Sequence, residues 1–105
     1  MTSDLLPCKH PQQLVLESED LQARVAGLEG WRLDEGMLVR ELHFEETADA
    51  VAYIARVAEA SEALNHHPRL RWFKRDVVLR LFTRKSGGIT ARDFELAQAC
   101  DAALG

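Results

Sequence analysis

One long helix-like segment, with a pair of strand-like segments on each side, constrains the fold of this chain most strongly. Apolar residues recur at helical spacing through residues 47–64, and Pro68 prevents that helix from continuing far. Before and after this segment, apolar residues alternate with polar ones, which is the period of a β-strand. The order of these spacings predicts two antiparallel hairpins with a helix lying across them.

Turn-forming residues interrupt each strand pair. Residues 31–44 turn at Asp34-Glu35-Gly36, because glycine tolerates a positive φ, and residues 70–83 turn at Arg75-Asp76. One face of each pair is apolar, with Arg40 as an exception: Leu38, Leu42 and Phe44 in the first, and Val77, Leu79 and Leu81 in the second.

Helical spacing and capping residues define three helices. A short one covers residues 17–28 before Gly30, and a last one runs from Thr90 to about residue 103, with Asp93 completing a capping box. Thr47 is the predicted cap of the long helix. Two adjoining stripes predict a wide buried face for that helix: Val51, Ile54, Ala55 and Ala58, beside Tyr53, Val57, Ala60 and Leu64.

The predicted architecture is therefore α+β, with the order α-β-β-α-β-β-α. Two hairpins form a four-stranded antiparallel sheet with helices packed on one face, and the other face is open to solvent or to another subunit. Residues 14–105 form one domain, and residues 1–13, which contain Pro7 and Pro11, form a partly ordered tail.

Charge and composition exclude several classes of protein. The net charge of −4, from 17 acids and 13 bases, disfavours a nucleic-acid binder. The two cysteines, Cys8 and Cys100, lack metal-ligand spacing, and no apolar run approaches the ~20 residues that span a bilayer. We expect a cytoplasmic protein without a metal, a nucleic-acid partner or a membrane segment.

Basic residues are concentrated in one stretch of this acidic chain. Residues 69–85 hold seven bases and a single acid, Asp76. Four of the bases lie among aromatic residues at the start of the stretch: Arg69, Arg71, Lys74 and Arg75. They are either a solvated strand face or a docking surface for an acidic protein partner or an anionic ligand.

The segment from Glu62 to Pro68 contains the groups best suited to chemistry. His66 and His67 are adjacent where the long helix ends, and an unperturbed imidazole titrates near ~6.5, so either can exchange a proton at neutral pH. Glu62, one helical turn before His66, could orient an imidazole. The alternative is a pair of solvated or packed polar side chains. A metal site is disfavoured here, because the segment has no HxxxH spacing and no third ligand nearby.

Several segments together resemble the pterin-4a-carbinolamine dehydratases, over residues 17–104. The matching residues are Leu28-Glu29-Gly30-Trp31, Arg40-Glu41-Leu42-His43-Phe44, Arg56-Val57-Ala58-Glu59, Glu62 with His66-His67-Pro68, and Gly87-Gly88-Ile89-Thr90 with Asp93. The resemblance implies a four-stranded antiparallel sheet with helices on one side, assembled as a homodimer or homotetramer.

The resemblance also implies an activity: dehydration of 4a-hydroxytetrahydropterin to quinonoid dihydropterin, with no metal or organic cofactor. By position, the catalytic residues would be His66, His67 and Asp93. The residues implied to bind the pterin are Glu62, Pro68, Phe73, Thr83 and Arg84.

Two positions depart from the family pattern. Arg84 stands where the family has a third histidine, and arginine, whose pKa exceeds ~12, cannot shuttle protons at neutral pH. Lys74 replaces an aromatic residue for which Phe73 or Trp72 could substitute. Two hypotheses therefore stand: a dehydratase that Arg84 weakens, or a non-catalytic dehydratase-like protein that binds another protein, such as a Rubisco assembly factor in carboxysome-forming bacteria.

Overall fold

Two hairpins pair into one antiparallel sheet in the computed structural model, which describes residues 14–105. The strands are β1 (Trp31–Asp34), β2 (Met37–His43), β3 (Arg69–Phe73) and β4 (Asp76–Leu81), in the spatial order β1-β2-β4-β3. The helices are α1 (Ser18–Ala26), α2 (Thr47–Leu64) and α3 (Ala91–Ala102), with a short 3-10 turn at Arg84–Ser86. The predicted α+β fold and element order are confirmed, and the tail predicted for residues 1–13 lies outside the described residues.

The two hairpin turns differ in how well the sequence predicted them. Glu35 and Gly36 both have a positive φ, 51° and 76°, which matches the right-handed twist of the flanking strands. In the second hairpin Lys74 takes the positive φ of 54°, and Asp76 already pairs with Phe73. The turn at Lys74-Arg75 therefore lies one residue before the predicted one.

The core lies between the sheet and the two longer helices. The alternation predicted for β4 is confirmed, because Val77, Leu79 and Leu81 are fully buried. From α2 only one stripe is buried: Ala50, Tyr53, Val57 and Ser61. The prediction of a second buried stripe is wrong: Val51 is 45% exposed, Ala55 and Ala58 are exposed, and Ile54 alone is half-buried against the core. The sheet and α3 cover α2 mainly on one side.

The predicted helix caps have different outcomes. Thr47 is the first residue of α2 rather than its cap; Glu46 occupies the cap position and makes no side-chain capping bond. For α3 the capping box is confirmed, since the Asp93 carboxylate accepts a hydrogen bond from Thr90 N at 2.9 Å.

Among residues 14–105, no helix combines the length and apolarity needed to cross a membrane.

Arg40, the exception in the apolar pattern, ties β2 to α3. It lies on the helix side of the sheet, in register with Trp31 and Leu79. Its Nη1 donates to Asp101 Oδ1 at 3.2 Å and to the Glu29 carbonyl at 2.7 Å, and Trp31 Nε1 also donates to Asp101 Oδ1, at 3.0 Å. The pairing of a half-buried charge explains how an arginine is tolerated on this face.

Candidate active site

A left-handed residue at the end of α2 directs both histidines away from the helix. Asn65 has φ 53° and ψ 42°, and His66 N donates to Ser61 O at 3.0 Å. Asparagine tolerates this conformation better than most residues, so the reversal is encoded locally. Half-buried Pro68 then carries the chain into β3, which keeps the histidines at the junction between α2 and the sheet.

His66 is paired with a buried carboxylate from the start of α3. The Nε2 atom of His66 lies 2.6 Å from Asp93 Oδ1, and the side chains are 12% and 0% exposed. Asp93 Oδ2 accepts hydrogen bonds from Thr83 Oγ1 at 2.8 Å and from Thr90 N at 2.9 Å. Asp93 is therefore held from three directions and fixes the ring that it contacts.

This contact assigns different roles to the two ring nitrogens of His66. With Asp93 ionised and the imidazole neutral, the proton between them resides on Nε2, because a carboxylate can only accept. Nδ1 is then the unprotonated nitrogen. No residue from 14 to 105 forms a hydrogen bond with Nδ1, so it is available to exchange a proton with a ligand.

His67 has a different environment. Its Nε2 lies 2.6 Å from Glu62 Oε2, and the side chains are 52% and 78% exposed. Glu62 thus contacts an imidazole as expected, but it is that of His67 and not of His66. A contact this exposed adds little stability, so the significance of Glu62 is that it positions the imidazole ring.

A closed loop after β4 holds Thr83 and Arg84 near the histidines. Thr83 and Gly88 form an isolated antiparallel bridge, with Thr83 N donating to Gly88 O at 2.9 Å. The 3-10 turn lies inside this loop, and Gly87 closes it with a φ of 81°. Thr83 Oγ1 also lies 2.8 Å from Thr90 Oγ1, which anchors the loop to the start of α3.

A cavity of about 440 Å³ lies between the end of α2 and this loop, within the size range of small-molecule sites. It is lined by Asn65, His66, His67, Phe82, Thr83, Arg84, Lys85 and Arg92. Asn65, Phe82, Lys85 and Arg92 were not among the predicted site residues. Arg92 donates to Asn65 O at 2.7 Å, so it connects α3 to the left-handed turn, and nothing in the sequence indicates this contact.

Phe73 is not brought to the histidines within one chain. Phe73 and Arg69 lie at opposite ends of β3, and the rise of a strand separates them by ~13 Å. The Phe73 side chain is 68% exposed, and with Trp72 and Arg71 it lines a separate cavity of about 420 Å³. The predicted role of Phe73 in pterin binding therefore remains a prediction.

The four bases of the predicted partner surface lie in two places. Arg69 and Arg71 project from the open face of the edge strand β3, and the Arg69 guanidinium lies 5.2 Å from the Phe82 ring centroid, beside the histidine cavity. Lys74 and Arg75 form the hairpin turn at the far end, and Lys74 Nζ lies 5.3 Å from the Phe73 ring.

Comparison with known proteins gives the same family that the motifs resemble. Residues 15–103 match the family model described as pterin 4 alpha carbinolamine dehydratase. A protein of Mycolicibacterium vanbaalenii, provisionally named as this dehydratase, is 39% identical over 93 residues, covering 87% of this chain and 98% of the relative. A protein of Prochlorococcus marinus with the same provisional name is 36% identical over 88 residues, covering 84% and 92%.

Two solved structures share the fold. A transcriptional coactivator/pterin dehydratase from Brucella melitensis has a TM-score of 0.83 at 25% identity, covering 87% of this chain and 99% of that one. A pterin dehydratase-like protein, identified as a RuBisCO assembly factor in the alpha-carboxysome, has a TM-score of 0.62 at 24% identity, covering 73% and 92%. The second likeness concerns the fold alone.

Proposed function

Because the chain belongs to the pterin-4-alpha-carbinolamine dehydratase family, we propose that it dehydrates 4a-hydroxytetrahydropterin to quinonoid dihydropterin. The observation that carries the proposal is the contact of 2.6 Å between His66 and the buried Asp93 at a cavity of ligand size. A histidine held by a buried carboxylate is an arrangement suited to general acid–base catalysis.

The reaction needs two proton transfers. The C4a–oxygen bond breaks as an acid protonates the departing hydroxyl, which leaves as water, and a base removes the proton from the pterin nitrogen. His66, through Nδ1, and His67, positioned by Glu62, are the two proposed groups. Each transfer by a positioned side chain typically contributes ~10²–10⁴ to the rate.

Arg84 limits the proposed catalysis. It lines the cavity at the position of the family's third histidine, but a guanidinium stays protonated at neutral pH and only donates hydrogen bonds. We propose that Arg84 serves in binding, by donating hydrogen bonds to an acceptor group of the ligand, and not in proton transfer. Turnover then depends on His66 and His67 alone and is slower than with a third imidazole. No bound metal or organic cofactor is part of this mechanism.

The test is turnover of enzymatically generated 4a-hydroxytetrahydropterin by the wild type and by His66→Ala. We expect the substitution to lower turnover by ~10²–10⁴. His43→Ala is the matched control, because His43 is an exposed histidine that pairs with Asp76 outside the cavity, and we expect no change there. Wild-type turnover no faster than the uncatalysed reaction would contradict the proposal.

We further propose that the protein acts in the cytoplasm as a homodimer or homotetramer. The supporting observations are the edge strand β3, where Trp72 is 51% exposed and Phe73 is 68% exposed, and Val51 on the uncovered side of α2. Exposed aromatic residues beside an unpaired strand edge favour association. Sedimentation equilibrium tests the oligomeric state directly, and a monomer at micromolar concentration would contradict the proposed assembly.

The second candidate function is non-catalytic binding of an acidic protein, as in Rubisco assembly. The observation that favours it is the group formed by Arg71, Trp72 and Phe73, since arginine and aromatic residues are enriched at protein interfaces. Arg71→Glu with Arg75→Glu is expected to weaken binding to purified Rubisco and to reduce its salt dependence, with Arg32→Glu as the control. Unchanged binding by the double variant would exclude this surface.

A further inference from the structure

Two positive side chains at the mouth of the histidine cavity have no acidic partner. Arg84 and Lys85 lie in the 3-10 turn, both exposed, and neither makes an ion pair with any residue from 14 to 105. Four arginines elsewhere, on α1, β1, β2 and β4, pair with acids: Arg24 with Asp20 at 3.7 Å, Arg32 with Glu41 at 2.8 Å, Arg40 with Asp101 at 3.2 Å, and Arg80 with Asp34 at 3.6 Å. In a chain of net charge −4, this leaves positive charge concentrated at the cavity.

The two carboxylates that contact the histidines of the cavity are already engaged. Asp93 is fully buried against His66, Thr83 and Thr90, and Glu62 contacts His67 at 2.6 Å. No aspartate or glutamate is among the residues that line the cavity. A ligand that enters therefore meets uncompensated bases and two imidazoles, and a negative charge on that ligand has no carboxylate of the lining to oppose it.

One wall of the cavity strengthens this preference for anions. Phe82 supplies an apolar surface, and the guanidinium of Arg69 lies over its ring, 5.2 Å from the centroid. Charges that meet beside an apolar wall interact more strongly than they do in bulk water. A pterin ring is neutral and needs only hydrogen bonds and ring contacts, so the bases of the 3-10 turn match a part of the ligand other than the ring.

We propose that this site takes a pterin whose side chain carries an anionic group, a phosphate ester or a carboxylate, which Arg84 and Lys85 bind while the ring lies against His66. This inference rests on the proposed function and names the substrate class. A phosphate and a carboxylate both suit a guanidinium beside an ammonium, and the experiment distinguishes them.

The experiment measures equilibrium binding of three stable product analogues by calorimetry at low ionic strength. They are dihydropterins that carry a neutral hydroxymethyl group, its phosphate ester, or a carboxyl group. Wild-type protein is expected to bind at least one anionic analogue on the order of 10-fold more tightly than the neutral one, with the difference decreasing as salt is added. The tighter of the two anionic analogues identifies the natural group.

Variants locate the effect. Arg84→Gln and Lys85→Gln are each expected to remove most of the advantage of the anionic analogue. Lys85→Gln, at a residue without a role in the proposed catalysis, is expected to leave the affinity for the neutral analogue within about 2-fold. Arg32→Gln is the matched control, because it makes the same change in net charge on β1, the edge strand at the other side of the sheet from β3. It should leave all three affinities unchanged.

The outcomes separate this inference from the proposed function. If the neutral analogue binds and neither anionic one binds more tightly, the inference is wrong and the proposed function stands. The inference is also wrong if the anionic advantage survives both substitutions in the 3-10 turn. If none of the three analogues binds, the proposed function fails, and this inference fails with it.

Discussion

Asp93 contacts His66 through one carboxylate oxygen, Oδ1, at 2.6 Å, and caps α3 through the other, Oδ2. The two residues are 27 positions apart, and the contact joins the end of α2 to the start of α3. The same carboxylate therefore stabilises the fold and orients the histidine, and variants of Asp93 can separate the two effects.

Asp93→Asn is expected to preserve much of the stability and lose most of the turnover. The amide oxygen still accepts from Thr90 N or Thr83 Oγ1, but the amide nitrogen donates toward His66 Nε2 and moves the ring proton to Nδ1. We expect turnover to fall ~10²-fold or more. Full turnover in this variant would show that Asp93 has only a structural role.

Asp93→Ala is expected to destabilise the fold by about 1–3 kcal/mol, because Thr83 Oγ1 and Thr90 N lose their shared acceptor in a buried site. Urea denaturation measures this free energy. Glu95→Ala, an exposed acid on the same helix, is the control and should change stability by less than about 0.5 kcal/mol.

Arg84→His is expected to raise turnover, since it places a third titratable group at the cavity. If that imidazole takes over one proton transfer, the increase should exceed about 10-fold. Lys85→His, which introduces the same side chain at the next position, is the control. Equal turnover by wild type and Arg84→His would mean that the two native histidines already suffice.

Gly30→Ala is expected to cost more stability than Gly36→Ala. Both glycines have a positive φ, 89° and 76°, so each substitution introduces backbone strain of about 1 kcal/mol or more. Only at Gly30 would the new methyl group lie 2.7 Å from Arg40 Nη1, displacing the guanidinium from Glu29 O and Asp101. Urea denaturation of both variants is the measurement, and equal losses would show that the Arg40 contacts add nothing.

Burial raises the pKa of the Cys100 thiol from 9.0 to about 12, with a smaller contribution from the nearby Asp101 charge. Below pH 9 the thiol is protonated in both the folded and the unfolded state. Between pH 9 and 12 only the unfolded state loses the proton, so stability should decrease as the pH rises. We expect Cys100→Ala to flatten this decrease, as measured by urea denaturation at several pH values. A parallel decrease in that variant would assign it to other groups, such as Tyr53, whose pKa burial also raises.

Local patterns in the sequence determined the elements and several of their ends. The helical period gave α2 its observed span, alternation gave the buried face of β4, and Thr90 with Asp93 gave the cap of α3. Pro68 and the adjacent histidines marked the end of α2. These features depend on residues within about one helical turn or one strand pair, so spacing alone reveals them.

Only the tertiary structure decided which surfaces meet. The mostly exposed stripe of α2 around Val51 has the same apolar spacing as the buried stripe around Tyr53, and only the position of α3 and the sheet distinguishes them. Likewise, the motif that predicted the capping box contains nothing that assigns Asp93 to His66, and the pattern of β2 contains nothing that assigns Arg40 to Asp101. Such pairs are set by how distant elements pack, because a side chain's partner across the core is independent of its neighbours along the chain.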